Sequence, residues 1–184
     1  QYIGGGEESF GYLAGDFVRD KDGVSACSLA AVAAAWAKSI GLSLYQLIKE
    51  LYVKYGFYKE GLVNVVRKGK EGQKEIADMM ANWRANPPKV ICGSAVSVIK
   101  DYQAGESHDL TTGKRTHLDI EKSNVLQFIT SDKTIVSVRP SGTEPKIKYY
   151  FGVCEPLDTV SEFDEVNSKL DSKIEQMKNE LNLV

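Results

Sequence analysis

Residues 139–148 read RPSGTEPKIK and gather groups suited to holding a dianion. Arg139 offers five N–H donors in a planar fork that matches phosphate oxygens. Ser141 and Thr143 add hydroxyl donors. Gly142 lets the backbone approach an anion and turn its N–H toward it. Pro140 and Pro145 stiffen the loop and reduce what is lost on ordering, and Lys146 and Lys148 add positive potential. The same residues also fit a plain hairpin in which Arg139 pairs with an acid such as Glu144.

A second set lies at the other end of the chain. Gly4-Gly5-Gly6-Glu7-Glu8-Ser9-Phe10-Gly11 combines flexible glycines with two carboxylates and a hydroxyl. Carboxylates accept paired hydrogen bonds from neighbouring sugar hydroxyls, and Ser9 can donate or accept. Arg19-Asp20-Lys21-Asp22-Gly23 follows at a helix start, a position that favours anions. There Lys21 suits a positioned acid or a charge clamp. A glycine-rich loop with solvated charges and an aspartate cap accounts for these residues equally well. The segment fails as a calcium loop, because Val24 and Ala31 stand where later ligands belong. His108 and His117 fall in a polar stretch without a partner set and read as surface residues. Glu8 has no assigned role.

The elements that must carry these groups follow from periodicity. Asp20 or Asp22 can cap an alanine-rich helix that runs past Ala37 and stops at Gly41. Ser43 and Gln46 form a capping-box pattern for a second helix, with Leu44, Leu47, Ile48, Leu51, Tyr52 and Tyr55 on one stripe. Leu62–Val66 reads as a strand. A third helix spans about Glu71 to Arg84, with Ile76, Met79, Met80 and Trp83 on one face, and Asn86-Pro87-Pro88 stops it. Val90–Ile99, Val125–Thr130 and Thr134–Val138 read as strands, and residues 101–123 as a short hairpin or loop. Ile147, Tyr149, Phe151 and Val153 alternate with Lys146, Lys148 and Tyr150, which predicts a strand with one buried face. A last helix from about Ser161 carries Phe163, Val166, Leu170, Ile174, Met177 and Leu181 inward.

The expected fold is therefore α+β. Residues 1–58 are mainly helical, with apolar stripes left bare, and residues 59–184 form a meandering antiparallel sheet with two helices on one side. The 184 residues carry a net charge of −2, without the basic footprint of a nucleic-acid binder. The longest apolar run, Leu29 to Ala37, is far below the ~20 residues of a membrane span. Neither nucleic acid nor membrane is expected as a partner. Cys27, Cys92 and Cys154 are widely spaced and form no C-x-x-C, which fits free thiols in a reducing cytoplasm. The chain opens without Met and without a signal-peptide pattern, so a piece of a longer protein is expected.

Taken in order, GEESFG (6–11), RDKDG (19–23) and RPSGTEPKIK (139–148) resemble the α-D-phosphohexomutase superfamily, and the first form is closest to its phosphoglucomutase branch. The resemblance covers essentially the whole chain. It implies the end of an α/β third domain over 1–58 and, over 59–184, the fourth domain, a TATA-box-binding-protein-like antiparallel sheet with two helices. It also implies roles. Glu7 and Ser9 would hold sugar hydroxyls, and Arg139, Ser141, Gly142 and Thr143 the phosphate that is not transferred. Lys21 would be the general acid/base, and Arg19 would add charge to the cleft. The superfamily's phosphoserine loop and its Mg²⁺ loop have no match here. Mg²⁺ is thus expected in the missing N-terminal domains, and this chain is expected to be inactive alone. The implied reaction interconverts glucose 1-phosphate and glucose 6-phosphate through an enzyme-bound glucose 1,6-bisphosphate. The alternatives are a phosphomannomutase or other phosphosugar mutase, or a stand-alone, non-catalytic module that binds a phosphorylated ligand.

Overall fold

A computed structural model describes residues 2–7, 11–18, 20–67, 69–142 and 144–183, apart from the side chains of Glu7 and Lys70. The chain divides into two compact units, Gln1–Tyr55 and Gly56–Val184.

The first unit holds two short strands, β1 (Gly5–Glu7) and β2 (Gly11–Leu13), and two helices, α1 (Gly23–Ser39) and α2 (Leu44–Tyr55). Asp22 is the cap of α1. Its carboxylate accepts from the backbone N–H of Val24 at 3.2 Å and of Ser25 at 2.7 Å, satisfying two donors that a helix start leaves orphaned. Ser43 and Gln46 close the capping box of α2: Gln46 N–H donates to Ser43 Oγ at 3.2 Å, and Ser43 N–H to Gln46 Oε1 at 2.8 Å. The stripes of both helices are bare within the unit, with Val32, Trp36, Ile48 and Leu51 all exposed. No single helix among the described residues is long and apolar enough to cross a membrane.

The second unit is an antiparallel sheet backed by two helices. Its strands are β3 (Phe57–Val66), β4 (Val90–Ile91), β5 (Ser94–Asp101), β6 (Glu106–Asp109), β7 (Arg115–His117), β8 (Leu126–Thr130), β9 (Ile135–Pro140) and β10 (Lys146–Glu155). Strand order is β3-β10-β9-β8-β5-β6-β7, with β4 paired to β5. Helix α3 (Gly69–Ala85) follows β3, and α4 (Phe163–Glu180) closes the chain. Burial alternates along β10, where Ile147, Tyr149, Phe151 and Val153 are at most 2% exposed. Trp83 of α3 lies edge-on to Tyr149 and tilted against Phe128. Ile174 of α4 lies against Gly61 of β3. Both helices therefore cover the face that carries Tyr149 and Phe151, and the fold is the expected α+β arrangement.

Two elements differ from expectation, the first being β3, which begins at Phe57 and not at Leu62. The run Val90–Ile99 is a hairpin, because Cys92 and Gly93 both take positive φ (47° and 74°) and turn the chain between β4 and β5. Two consecutive positive-φ residues suit a tight two-residue turn. Cys92 is an uncommon residue there, so composition did not reveal it.

Candidate functional site

The candidate residues fall in the two units, and each set is described within its own.

In the second unit the RPSGTEPKIK segment joins β9 to β10. Ser141 N–H donates to Lys146 C=O at 2.8 Å, Lys146 N–H to Glu144 C=O at 2.7 Å, and Arg67 N–H to Pro145 C=O at 2.9 Å. These bonds anchor the loop at three points and fix its exit. Thr143 lies outside the described residues. The pairing of Arg139 with Glu144 is not formed among the described residues: Glu144 makes its ion pair with Lys146. That hydrogen bond and the Lys146 and Lys148 charges hold the Glu144 carboxyl below its ordinary range.

Val136 and Val138 point to the helix-covered core, so Arg139 is on the opposite, open face and is exposed. Register places Lys148 of β10 directly across from it. Two cationic side chains are thereby brought side by side at the base of the loop, Arg139 exposed and Lys148 half-buried. Gly142 adds a second oddity. A Cβ built there meets no atom within 4 Å, and its φ is not left-handed. Neither packing in this unit nor backbone strain requires a glycine at that position.

Behind the loop lies a cavity of about 230 Å³, bounded by Pro140, Ser141 and Gly142 on one side and by Gln73, Ala77 and Asn124 on the other. Asn124 is held there by Arg84, whose Nη2 donates to Asn124 Oδ1 at 2.7 Å while its Nε donates to Asp101 at 3.0 Å. Gln73 and Asn124 have no motif and lie far from the loop in sequence, so sequence gave no signal for them. Among the described residues no group of three or more His, Cys, Asp or Glu side chains is placed to hold a metal ion.

In the first unit, β1 and β2 pair with Gly5 opposite Leu13 and Gly6 opposite Tyr12. The glycine run is shaped by aromatic rings. A Cβ on Gly4 would lie 2.7 Å from Tyr12 Oη, one on Gly5 3.0 Å from Tyr2 Oη, and one on Gly6 3.1 Å from the Tyr12 ring. Glu8, Ser9, Phe10 and Arg19 lie outside the described residues, as does the side chain of Glu7. Lys21 is described. Tyr12 and Asp22 exchange backbone hydrogen bonds at 3.3 and 3.2 Å, which docks the segment before α1 onto β2. Lys21 N–H donates to Asp20 Oδ1 at 2.8 Å. Its methylene stem passes across Gly11.

Comparison with known proteins finds matches over both units. Residues 62–170 match the phosphoglucomutase/phosphomannomutase C-terminal domain, and residues 1–55 match the alpha/beta/alpha domain III of the same family. The chain belongs to the phosphoglucomutase/phosphomannomutase family. Proteins named phosphoglucomutase from Staphylococcus aureus strains MRSA252 and N315 are each 36% identical to it over 168 residues, 91% of this chain. The match spans 29% of those proteins, so the chain corresponds to under a third of its curated relatives. Among solved structures, the open form of parafusin from Paramecium, titled a phosphoglucomutase, aligns with a TM-score of 0.51 at 14% identity. It covers 92% of this chain and 30% of parafusin, and it supports the fold of this family member.

Proposed function

We propose that the full-length protein interconverts glucose 1-phosphate and glucose 6-phosphate through an enzyme-bound glucose 1,6-bisphosphate, and that this chain supplies binding groups for that reaction. The observation that carries the reading is the bare Gly142 beside the opposed Arg139–Lys148 pair. A glycine that no described neighbour requires for packing and two cationic side chains opposed across the strands both make sense around a dianionic phosphate. The identity to proteins named phosphoglucomutase favours glucose over other sugars.

In this reading, residues 1–58 are the end of domain III and residues 59–184 are domain IV. Arg139 forks onto the phosphate that is not being transferred, Ser141, Thr143 and the Gly142 N–H donate to its remaining oxygens, and Lys148 adds charge. Glu7 and Ser9 hold sugar hydroxyls, Arg19 raises the local potential, and Lys21 gives and takes the proton of the reacting hydroxyl. One fixed phosphate site accepts either end of the bisphosphate in turn. Mg²⁺ would be held by parts of the protein that this chain does not span, and when bound there it would stabilise charge on the transferred phosphoryl group. The 184-residue chain alone binds the phosphosugar without turning it over. In this reading the protein works in a reducing cytoplasm, with which three free cysteines are compatible.

The test is Arg139→Ala in the full-length protein. Loss of a charge-assisted fork should lower kcat/KM for glucose 1-phosphate by a factor that corresponds to roughly 2–4 kcal/mol. An unchanged kcat/KM would sink the assigned role of Arg139. Absence of any turnover by the full-length parent, with binding of glucose 1-phosphate retained, would favour the non-catalytic module instead.

A further inference from the structure

Gly11 of β2 lies tightly against the side chain of Lys21, just before α1. A Cβ on Gly11 would sit 2.7 Å from Lys21 Cβ, 2.9 Å from Cγ and 3.1 Å from Cδ. Separations below 3.0 Å are not tolerated, and these atoms are at the root of the side chain. The root is tied in place, since the backbone on either side of it is fixed by the Asp22–Tyr12 bridge and by the Lys21 N–H bond to Asp20. The Lys21 Cβ, set by this backbone, therefore cannot be moved aside by a side-chain rotation.

We infer that Gly11 is a positioning residue: its bare Cα is the surface on which the stem of Lys21 is laid, and it sets the line along which the ammonium is presented. The inference rests on the acid/base role proposed above for Lys21. A lysine stem has four rotatable bonds, and an unguided ammonium spends most of its time away from a reacting oxygen. Laying its first three carbons against a flat glycine removes most of that freedom before substrate arrives, which is how proximity is turned into rate. Glycine is thus required at position 11 by the side chain ten residues later and not by a turn, since its φ is not left-handed.

The experiment uses the full-length protein with glucose 1-phosphate. Gly11→Ala should lower kcat roughly ten- to a hundred-fold, as a displacement of about an ångström does, with KM little changed. In a Lys21→Ala background, whose own rate is already reduced, adding Gly11→Ala should cause no further fall, because the group it misplaces is gone. A Gly11→Ala enzyme at the parental rate, or an equal further fall in the Lys21→Ala background, overturns the inference while leaving the role of Lys21 intact. A Lys21→Ala enzyme at the parental rate overturns that role and this inference with it. Should Gly11→Ala fail to fold, the Gly11→Ala/Lys21→Gly double variant, which removes the obstructing carbons, should recover a cooperative melt; a double variant that stays unfolded overturns the inference.

Discussion

Asp132 shows how one side chain ties an element down. It sits in the turn between β8 and β9 and accepts from Lys173 of α4 at 2.6 Å, from Thr134 N–H at 3.2 Å and from the Thr130 hydroxyl. Burial acts to raise its carboxyl, but the bonds from Lys173, Thr130 and Thr134 outweigh burial and hold it well below the usual carboxylate range. Lys173 is only 16% exposed, so removing its partner strands a half-buried charge. Asp132→Ala should cost about 1–2 kcal/mol at pH 7, limited by the partial exposure of Asp132. A depressed folded-state pKa means the contribution is complete above the unfolded-state value of about 3.9 and is lost as pH falls through the lower folded value. The melting-temperature gap between parent and Asp132→Ala should therefore be constant from pH 7 to about 5 and narrow in more acid buffer. A gap that persists undiminished in strong acid would show that the carboxylate is not the source.

At the scale of elements, α4 docks on β3 through a glycine. A Cβ on Gly61 would lie 2.9 Å from Ile174 Cγ2 and 3.4 Å from its Cδ1. Ile174 is 5% exposed and β-branched, so it has no free direction in which to yield. Gly61→Ala should destabilise by about 1–3 kcal/mol through overpacking. Ile174→Ala opens space for the new methyl, so the double variant should be more stable than the sum of the two single losses in a urea titration. Strict additivity would mean that the helix shifts as a body instead. This contact was not legible in the sequence, which marks a strand only over Leu62–Val66; the strand in fact begins at Phe57 and runs through Gly61. The α4 stripe and the alternation in β10 were legible, because Leu170, Ile174 and Met177, and Ile147 through Val153, repeat at the periods that burial demands. The anion loop was legible as composition. The Arg139–Lys148 opposition was not, because register depends on loop length and on partners that composition does not state. The Cys92–Gly93 turn was hidden for a related reason: positive φ at a cysteine is imposed by its setting, here Glu180, which accepts the Cys92 N–H at 2.8 Å.

For the whole chain, the two units differ in how much they bury. The second has a core built on Phe128, Tyr149, Phe151, Met80, Leu170 and Met177, none more than 2% exposed. In the first, Ala37 is the sole buried apolar residue among those described, while Val32 is 67% and Trp36 54% exposed. Ordering a residue costs on the order of 1 kcal/mol or more, and apolar burial returns about 25 cal/mol per Å². On those terms the first unit has little to hold it in the 184-residue chain. In the full-length protein, further parts of domain III are proposed to cover α1 and α2. The chain's two tryptophans report on the two units separately, since Trp36 is in α1 and Trp83 packs on Tyr149 and Phe128. With the 184-residue chain in urea, the Trp83→Phe variant, which leaves Trp36 as the probe, should lose its signal at lower denaturant than the Trp36→Phe variant, and should do so over a broad, weakly cooperative range. In the full-length protein the Trp36 transition should sharpen and move to higher urea, because the same apolar faces then have partners. If both probes report one coincident transition in the 184-residue chain, the first unit draws its stability from within these residues, and the proposed covering of α1 and α2 is wrong.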